Sequence, residues 1–203
     1  MIIIGLTGSI GMGKSETSKM FAAQNIPVFD SDQAVHQLLG PNGAAVDIIE
    51  KIFSGCKKEN EIDRQALGAQ VFGNDSALKK LEGILHPMVQ KMRDDFVKTA
   101  GDNGQQIVLF DIPLLFEKNH QNDCDYIVVA SAAADVQKKR VMERDGMSEQ
   151  KFLDILEKQT PDQEKRRRAD FIIQTDQGLD YAKDQVCKII QKIREKHNAS
   201  NRI

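Results

Sequence analysis

The stretch Ile4-Gly5-Leu6-Thr7-Gly8-Ser9-Ile10-Gly11-Met12-Gly13-Lys14-Ser15 decides how this chain is read. From Gly8 it spells G-x-x-x-x-G-K-S, in which glycines let successive backbone N–H groups turn inward around a phosphate. The lysine, Lys14, reaches the outer phosphates, and the hydroxyl of Ser15 faces a magnesium ion. The flanks agree with this. The β-branched run Ile2-Ile3-Ile4 predicts a strand before the loop, and residues 14–23 predict a helix whose positive end points at the anion. Strand, loop and helix in that order make a cradle for a nucleoside triphosphate, with Gly8, Gly11, Met12, Gly13, Lys14, Ser15 and Glu16 as candidate contacts.

Beyond a turn at Gln24-Asn25-Ile26-Pro27, Val28-Phe29 reads as a second strand ending at Asp30-Ser31-Asp32. Ligands bind beyond the carboxyl ends of strands in an open α/β sheet, so one of these aspartates is placed to take or orient a substrate hydroxyl proton. The same residues suit N-capping of the helix that carries Val35, Leu38 and Leu39, and the two roles are compatible. Residues 40–100 are then almost wholly helical in pattern, with a polar loop at 55–61, a cap at Asp63 and an interruption at His86-Pro87 in the run 75–99. Such a block between strands shapes a second substrate site. Arg64, His86 and Lys91 are its candidate anion contacts, against plainer roles as solvated charges and a kink-fixing histidine.

Residues 106–110 form a third apolar strand that ends on Asp111, the expected acid on the magnesium side opposite Ser15; a solvated strand terminus is the plainer alternative. Pro113 starts a helical turn, and Leu114, Leu115 and Phe116 read by residue type as packing. A fourth strand, Tyr126-Ile127-Val128-Val129, leads into a helix with Arg140 and Arg144 on one face. They suit transferring phosphoryl oxygens or a nucleotide base, or alternatively surface pairs with Glu143, Asp145 or Glu149. After Pro161, the run Glu164-Lys165-Arg166-Arg167-Arg168 reads as a mobile, arginine-bearing hairpin that closes over the phosphates and excludes water. Residues 170–173 form a fifth strand, and a final amphipathic helix carries Leu179, Ala182, Val186, Ile189, Ile190 and Ile193. Short strands separated by helices predict a parallel sheet flanked by helices.

Composition narrows the partners. Lys plus Arg number 28 against 30 Asp plus Glu, so a net charge of −2 gives no general attraction to nucleic acid or an acidic membrane. Cys56, Cys124 and Cys187 are odd in number and lack a C-x-x-C pair, which fits a reduced, cytoplasmic compartment. At 203 residues the chain accommodates one α/β domain with appendages. No N-K-x-D or T-K-x-D guanine reader is present, and Asp111 is followed by Ile112, Pro113 and Leu114 rather than D-x-x-G, so a small-molecule kinase is favoured over a GTPase. Asp32 as base, Lys14 with Mg²⁺, and Arg140 fill the three jobs phosphoryl transfer requires.

With these residues in view, the sequence resembles the dephospho-CoA kinase family over nearly its whole length. The shared features are I-G-L-T-G-S-I-G-M-G-K-S at Ile4 to Ser15, D-S-D at Asp30 to Asp32, I-D-R at Ile62 to Arg64, and H-P at His86-Pro87. D-I-P-L-L-F-E at Asp111 to Glu117, the arginines Arg140 and Arg144, Gln159, and K-R-R-R-A-D-F-I-I at Lys165 to Ile173 continue the likeness. The resemblance implies a P-loop, nucleoside-kinase-like fold with sheet order 2-3-1-4-5, ATP and Mg²⁺ as cofactors, and phosphorylation of the ribose 3′-hydroxyl of dephospho-CoA. It implies a core at 1–31, 101–137 and 169–203, a helical CoA-binding insertion near 32–100, and a lid near 138–168. Asp32 takes the place of the general base and Arg140 that of the nucleotide clamp, with Arg64, His86, Asp111 and Leu115 toward the acceptor. Glu16, Ile155 and Thr175 depart from the usual serine or threonine, arginine and asparagine. A kinase of another nucleoside or nucleotide, and a nucleotide-gated binding protein without transfer chemistry, are the competing functions.

Overall fold

A strand alternates its side chains between two faces, so Ile2, Ile4 and Leu6 of β1 (Ile2–Thr7) turn into one apolar layer. In this computed structural model, which describes residues 1–200, Ile4 and Leu6 have no exposed surface. Each such side chain contributes about 1.5–3 kcal/mol relative to exposure. Phe21 of α1 (Lys14–Ala22) and Val186, Ile189, Ile190 and Ile193 of α9 (Leu179–Ser200) complete that layer.

The chain divides into two compact units, residues 1–28 with 104–203, and residues 29–103. In the first, β1 pairs in parallel with β5 (Ile107–Asp111) on one side and β6 (Tyr126–Ser131) on the other; β7 (Phe171–Gln174) pairs in parallel with β6. With β2 (Val28–Asp30), the sheet order is β2-β5-β1-β6-β7. Counted by sheet strands alone this is the expected 2-3-1-4-5. The helices α6 (Ala134–Met142), α7 (Glu149–Glu157) and α8 (Asp162–Arg168) connect β6 to β7.

The second unit is built from α2 (Ser31–Leu39), α3 (Val46–Ile52), α4 (Arg64–Val71) and α5 (Asp75–Asp102) around Leu38, Ile49, Phe53, Leu67, Leu81 and Leu85. Two expectations are corrected here. Residues 55–61 are not simply a polar loop, because β3 (Lys57–Lys58) and β4 (Glu61–Ile62) close into a small antiparallel hairpin. Nor does His86-Pro87 interrupt a helix: α5 runs through it for 28 residues. The carbonyl that Pro87 cannot serve belongs to exposed Gly83, while Leu81 and Leu85 hold the helix to the core. Asp63 caps α4 as expected, accepting from the Gln65 and Ala66 N–H groups. Among the described residues no helix is long and apolar enough to cross a membrane.

Candidate active site

The phosphate loop leaves the end of β1 and hands over to α1 at Gly13, whose φ of 85° is a left-handed conformation suited to glycine. A Cβ there would also lie 2.8 Å from the Thr175 hydroxyl oxygen, so backbone and packing both demand glycine. Lys14 follows and donates its Nζ to Asp111 Oδ1, an ion pair on a carboxylate almost wholly buried at the end of β5. Loop lysine and strand-end acid, 97 positions apart in sequence, are thus brought together. Ser15 and Glu16 are exposed at the helix start, and Glu16 is paired at 2.7 Å with Lys19, which offsets the carboxylate that stands near the loop.

The loop is gripped from outside by side chains that no local pattern announced. Ile10 N–H donates to Gln159 Oε1 at 3.0 Å, and Ile10 O accepts from Gln137 Nε2 at 2.7 Å. Buried Met12 has its carbonyl hydrogen-bonded by the Thr175 hydroxyl at 2.9 Å, and its sulfur accepts from Ala132 N–H. Arg140 in turn donates to Thr175 Oγ1 at 2.9 Å and to Thr175 O at 2.6 Å. Threonine at 175 therefore joins the arginine of α6 to the loop. Arg140 and Arg144 do not share a helix face, because α6 stops at Met142 and Arg144 lies exposed in the turn beyond. Glu149 pairs with Lys138 rather than with either arginine.

The basic run is also corrected. Residues 162–168 form helix α8, not a hairpin, and the side chains of the run part company. Lys165 is fully buried with Nζ 2.8 Å from Glu117 Oε1, Arg167 pairs with Glu164, and the Arg168 guanidinium lies 4.2 Å from the Phe116 ring centroid. Burial pushes the Glu117 carboxyl up, but the Lys165 ammonium and the backbone N–H groups of Glu117 and Thr160 outweigh it and hold it below the ordinary carboxylate range. Leu115 has no exposed surface, and its Cδ1 occupies the space a Cβ on Gly5 would need.

In the helical unit, Asp30 caps α2 by accepting from Gln33 N–H at 2.9 Å. That leaves Asp32, exposed in the first turn, with its carboxylate toward solvent. Asp30, Asp32, His36, Glu61 and Arg64 line a cavity of about 770 Å³. Arg64 Nη1 lies 3.0 Å from His36 Nε2. A guanidinium only donates, so His36 Nε2 is the acceptor in this contact. His86 and Lys91 are exposed on α5 and do not line this cavity. Arg93 escaped the sequence reading because it sits inside a helical pattern. It is buried, donates to Ser31 Oγ at 3.2 Å and lies 6.0 Å from the Phe29 ring centroid, bracing the residue before Asp32.

With this geometry established, the dephospho-CoA kinase (CoaE) family model matches residues 2–180. The chain belongs to the dephospho-CoA kinase family. It is 50% identical over 194 residues to the dephospho-CoA kinase of Mesorhizobium japonicum, covering 96% of this chain and 98% of that one. The structure of TT1252 from Thermus thermophilus superposes with a TM-score of 0.83 at 29% identity, covering 94% of this chain and 96% of that chain. The dephospho-CoA kinase from Campylobacter jejuni gives 0.64 at 27% identity, again over 94% and 96%. The protein is accordingly a kinase.

Proposed function

We propose that this kinase transfers the terminal phosphoryl group of ATP to the ribose 3′-hydroxyl of dephospho-CoA, giving CoA and ADP. The observation that carries the reading is the cradle itself: a glycine-shaped loop ending in Lys14 and Ser15, with Asp111 at the neighbouring strand end, in a chain of this family. The Ser15 hydroxyl and Asp111 carboxylate are hard oxygen donors of the kind magnesium takes, directly or through water. Bound there, the ion would neutralise charge on the phosphate oxygens.

The chain's own residues supply the rest. Lys14, whose ammonium is paired with Asp111, serves the outer phosphates, and Arg140 stabilises charge on the transferring group. Asp32 accepts the hydroxyl proton as the ribose oxygen–phosphorus bond forms and the bond from the terminal phosphorus to its bridging oxygen breaks; ADP leaves with that oxygen. Arg64 meets an anionic part of the acceptor in the cavity beside Asp32. A lid at residues 138–168 excludes water, which would otherwise divert the phosphoryl group to hydrolysis.

The test is a comparison of acceptors. With ATP and Mg²⁺, dephospho-CoA should be turned over far faster than adenosine, uridine, CMP or AMP. Faster turnover of one of those acceptors would replace this reading with another nucleoside or nucleotide kinase. ATP binding with no acceptor-dependent ADP release would leave a nucleotide-binding protein.

A further inference from the structure

Two charged residues of the family-like runs have no part in the chemistry above: Glu117, which closes D-I-P-L-L-F-E, and Lys165, which opens K-R-R-R. We propose that Glu117 is a positioning residue for nucleotide binding, holding Gln159 against the phosphate loop by fixing Thr160 and Lys165.

The contacts form one continuous path inside the first unit. Glu117 Oε1 accepts from the Thr160 N–H at 2.8 Å and lies 2.8 Å from Lys165 Nζ. Thr160 is the residue next to Gln159, whose Oε1 takes the Ile10 N–H of the loop. The short connection from Gln159 to Pro161 falls between α7 and α8, so no helix of its own sets its place. Its outer end is fixed where Lys165 and Glu164 N–H groups return to Pro161 O, at 3.0 and 2.9 Å. Glu117 is therefore the fixed point against which this connection is set.

The electrostatics point the same way. Lys165 has no exposed side-chain surface and Nζ has no aligned hydrogen-bond acceptor among the described residues, so the Glu117 carboxylate at 2.8 Å is the counter-charge that holds it in place. Glu117 Oε2 is buried and unpartnered among the described residues, which leaves Oε1 to carry both contacts. What the path delivers is an orientation. With Gln137 taking Ile10 O from the other side, both polar groups of that residue are committed, and the loop keeps the bend that presents its remaining N–H groups.

This inference rests on the reading that the loop holds ATP, and the experiment separates the two. ATP affinity is measured by calorimetry on the full chain, well below each variant's unfolding midpoint. The proteins are the wild type, Gln159→Ala, the paired change Glu117→Ala with Lys165→Met, and all three changes together. Removing both charges avoids stranding the buried lysine, so that variant stays folded where Glu117→Ala alone could fail. Gln159→Ala and the paired variant should each weaken ATP about tenfold, the size of one lost buried hydrogen bond. The triple variant should be no weaker than about tenfold, because all the changes break one path. The KM for dephospho-CoA should not move. Unchanged ATP affinity in the paired variant, with only a lower unfolding temperature, would overturn the proposal, as would an effect of about a hundredfold in the triple variant. A wild type that binds no ATP would instead strike the reading of the loop.

Discussion

Around the phosphate loop, Asp111 and Lys165 are buried and paired, whereas in the helical unit Asp32, His36 and Arg64 line an open cavity as exposed side chains. The difference follows from how each unit is made. A parallel sheet is covered on both faces, so polar groups at its strand ends must find partners in the chain. Four helices around an apolar centre leave their outer turns in water, where an aspartate remains available to a ligand. Buried, paired charge thus belongs to the unit that carries the loop and accessible charge to the helical unit.

The sharpest way to break that contrast is Lys14→Ala. Loss of the loop cation should lower kcat/KM by about 10³-fold and raise the KM for ATP. Direct binding of dephospho-CoA, measured by calorimetry, should be unaffected. If acceptor binding falls as much as ATP binding, the two sides are not separate in function.

Asp32→Asn tests the other side. Turnover should fall by about 10²-fold while ATP affinity holds, because the substitution removes a proton acceptor and leaves the loop intact. Equal turnover in the variant removes Asp32 from the reaction. Arg140→Ala comes next, with a fall in kcat of about tenfold or more that exceeds any change in the KM for dephospho-CoA. The reverse pattern would move Arg140 to the acceptor. Because Arg140 also holds Thr175 and so the Met12 carbonyl, a modest rise in the KM for ATP should accompany it.

How far the contrast was legible depends on the range of each signal. The glycines and Lys14 of the loop, the β-branched start of β1 and the caps at Asp30 and Asp63 are local patterns, and the structure has them where the sequence placed them. The parallel pairing also followed, since helices too long for hairpins separate the sheet strands, whereas the order 2-3-1-4-5 came only from the family resemblance. What escaped was long-range or depended on burial. Lys165 stands in a run of arginines that reads as a hairpin closing over the phosphates, yet it alone of the run turns inward, toward a glutamate 48 positions earlier. Thr175 and Gln137 reach the loop from 163 and 127 positions away, and nothing near either residue encodes that. Pro87 misled for a different reason, because propensity gave way to the packing of Leu81 and Leu85 on the same helix.

The effect that bears least on turnover concerns acid and stability. The Glu117 carboxyl is held below its ordinary range, so its stabilising contribution is present above the usual glutamate pKa of about 4.3 and is lost as pH falls through the lowered value. At neutral pH, Glu117→Gln should melt below the wild type. The two melting temperatures should converge as the pH falls through the lowered value of the Glu117 carboxyl. A gap that stays constant across that range would show that the charge of Glu117 contributes nothing to the fold.

The central claim is transfer from ATP to one hydroxyl, and phosphorus NMR of a single reaction mixture addresses it directly. Dephospho-CoA, ATP and Mg²⁺ incubated with the protein should yield ADP and a new phosphomonoester on the ribose 3′-oxygen in equal amounts. ADP accompanied by inorganic phosphate alone, or a phosphate on any other oxygen, would contradict the account.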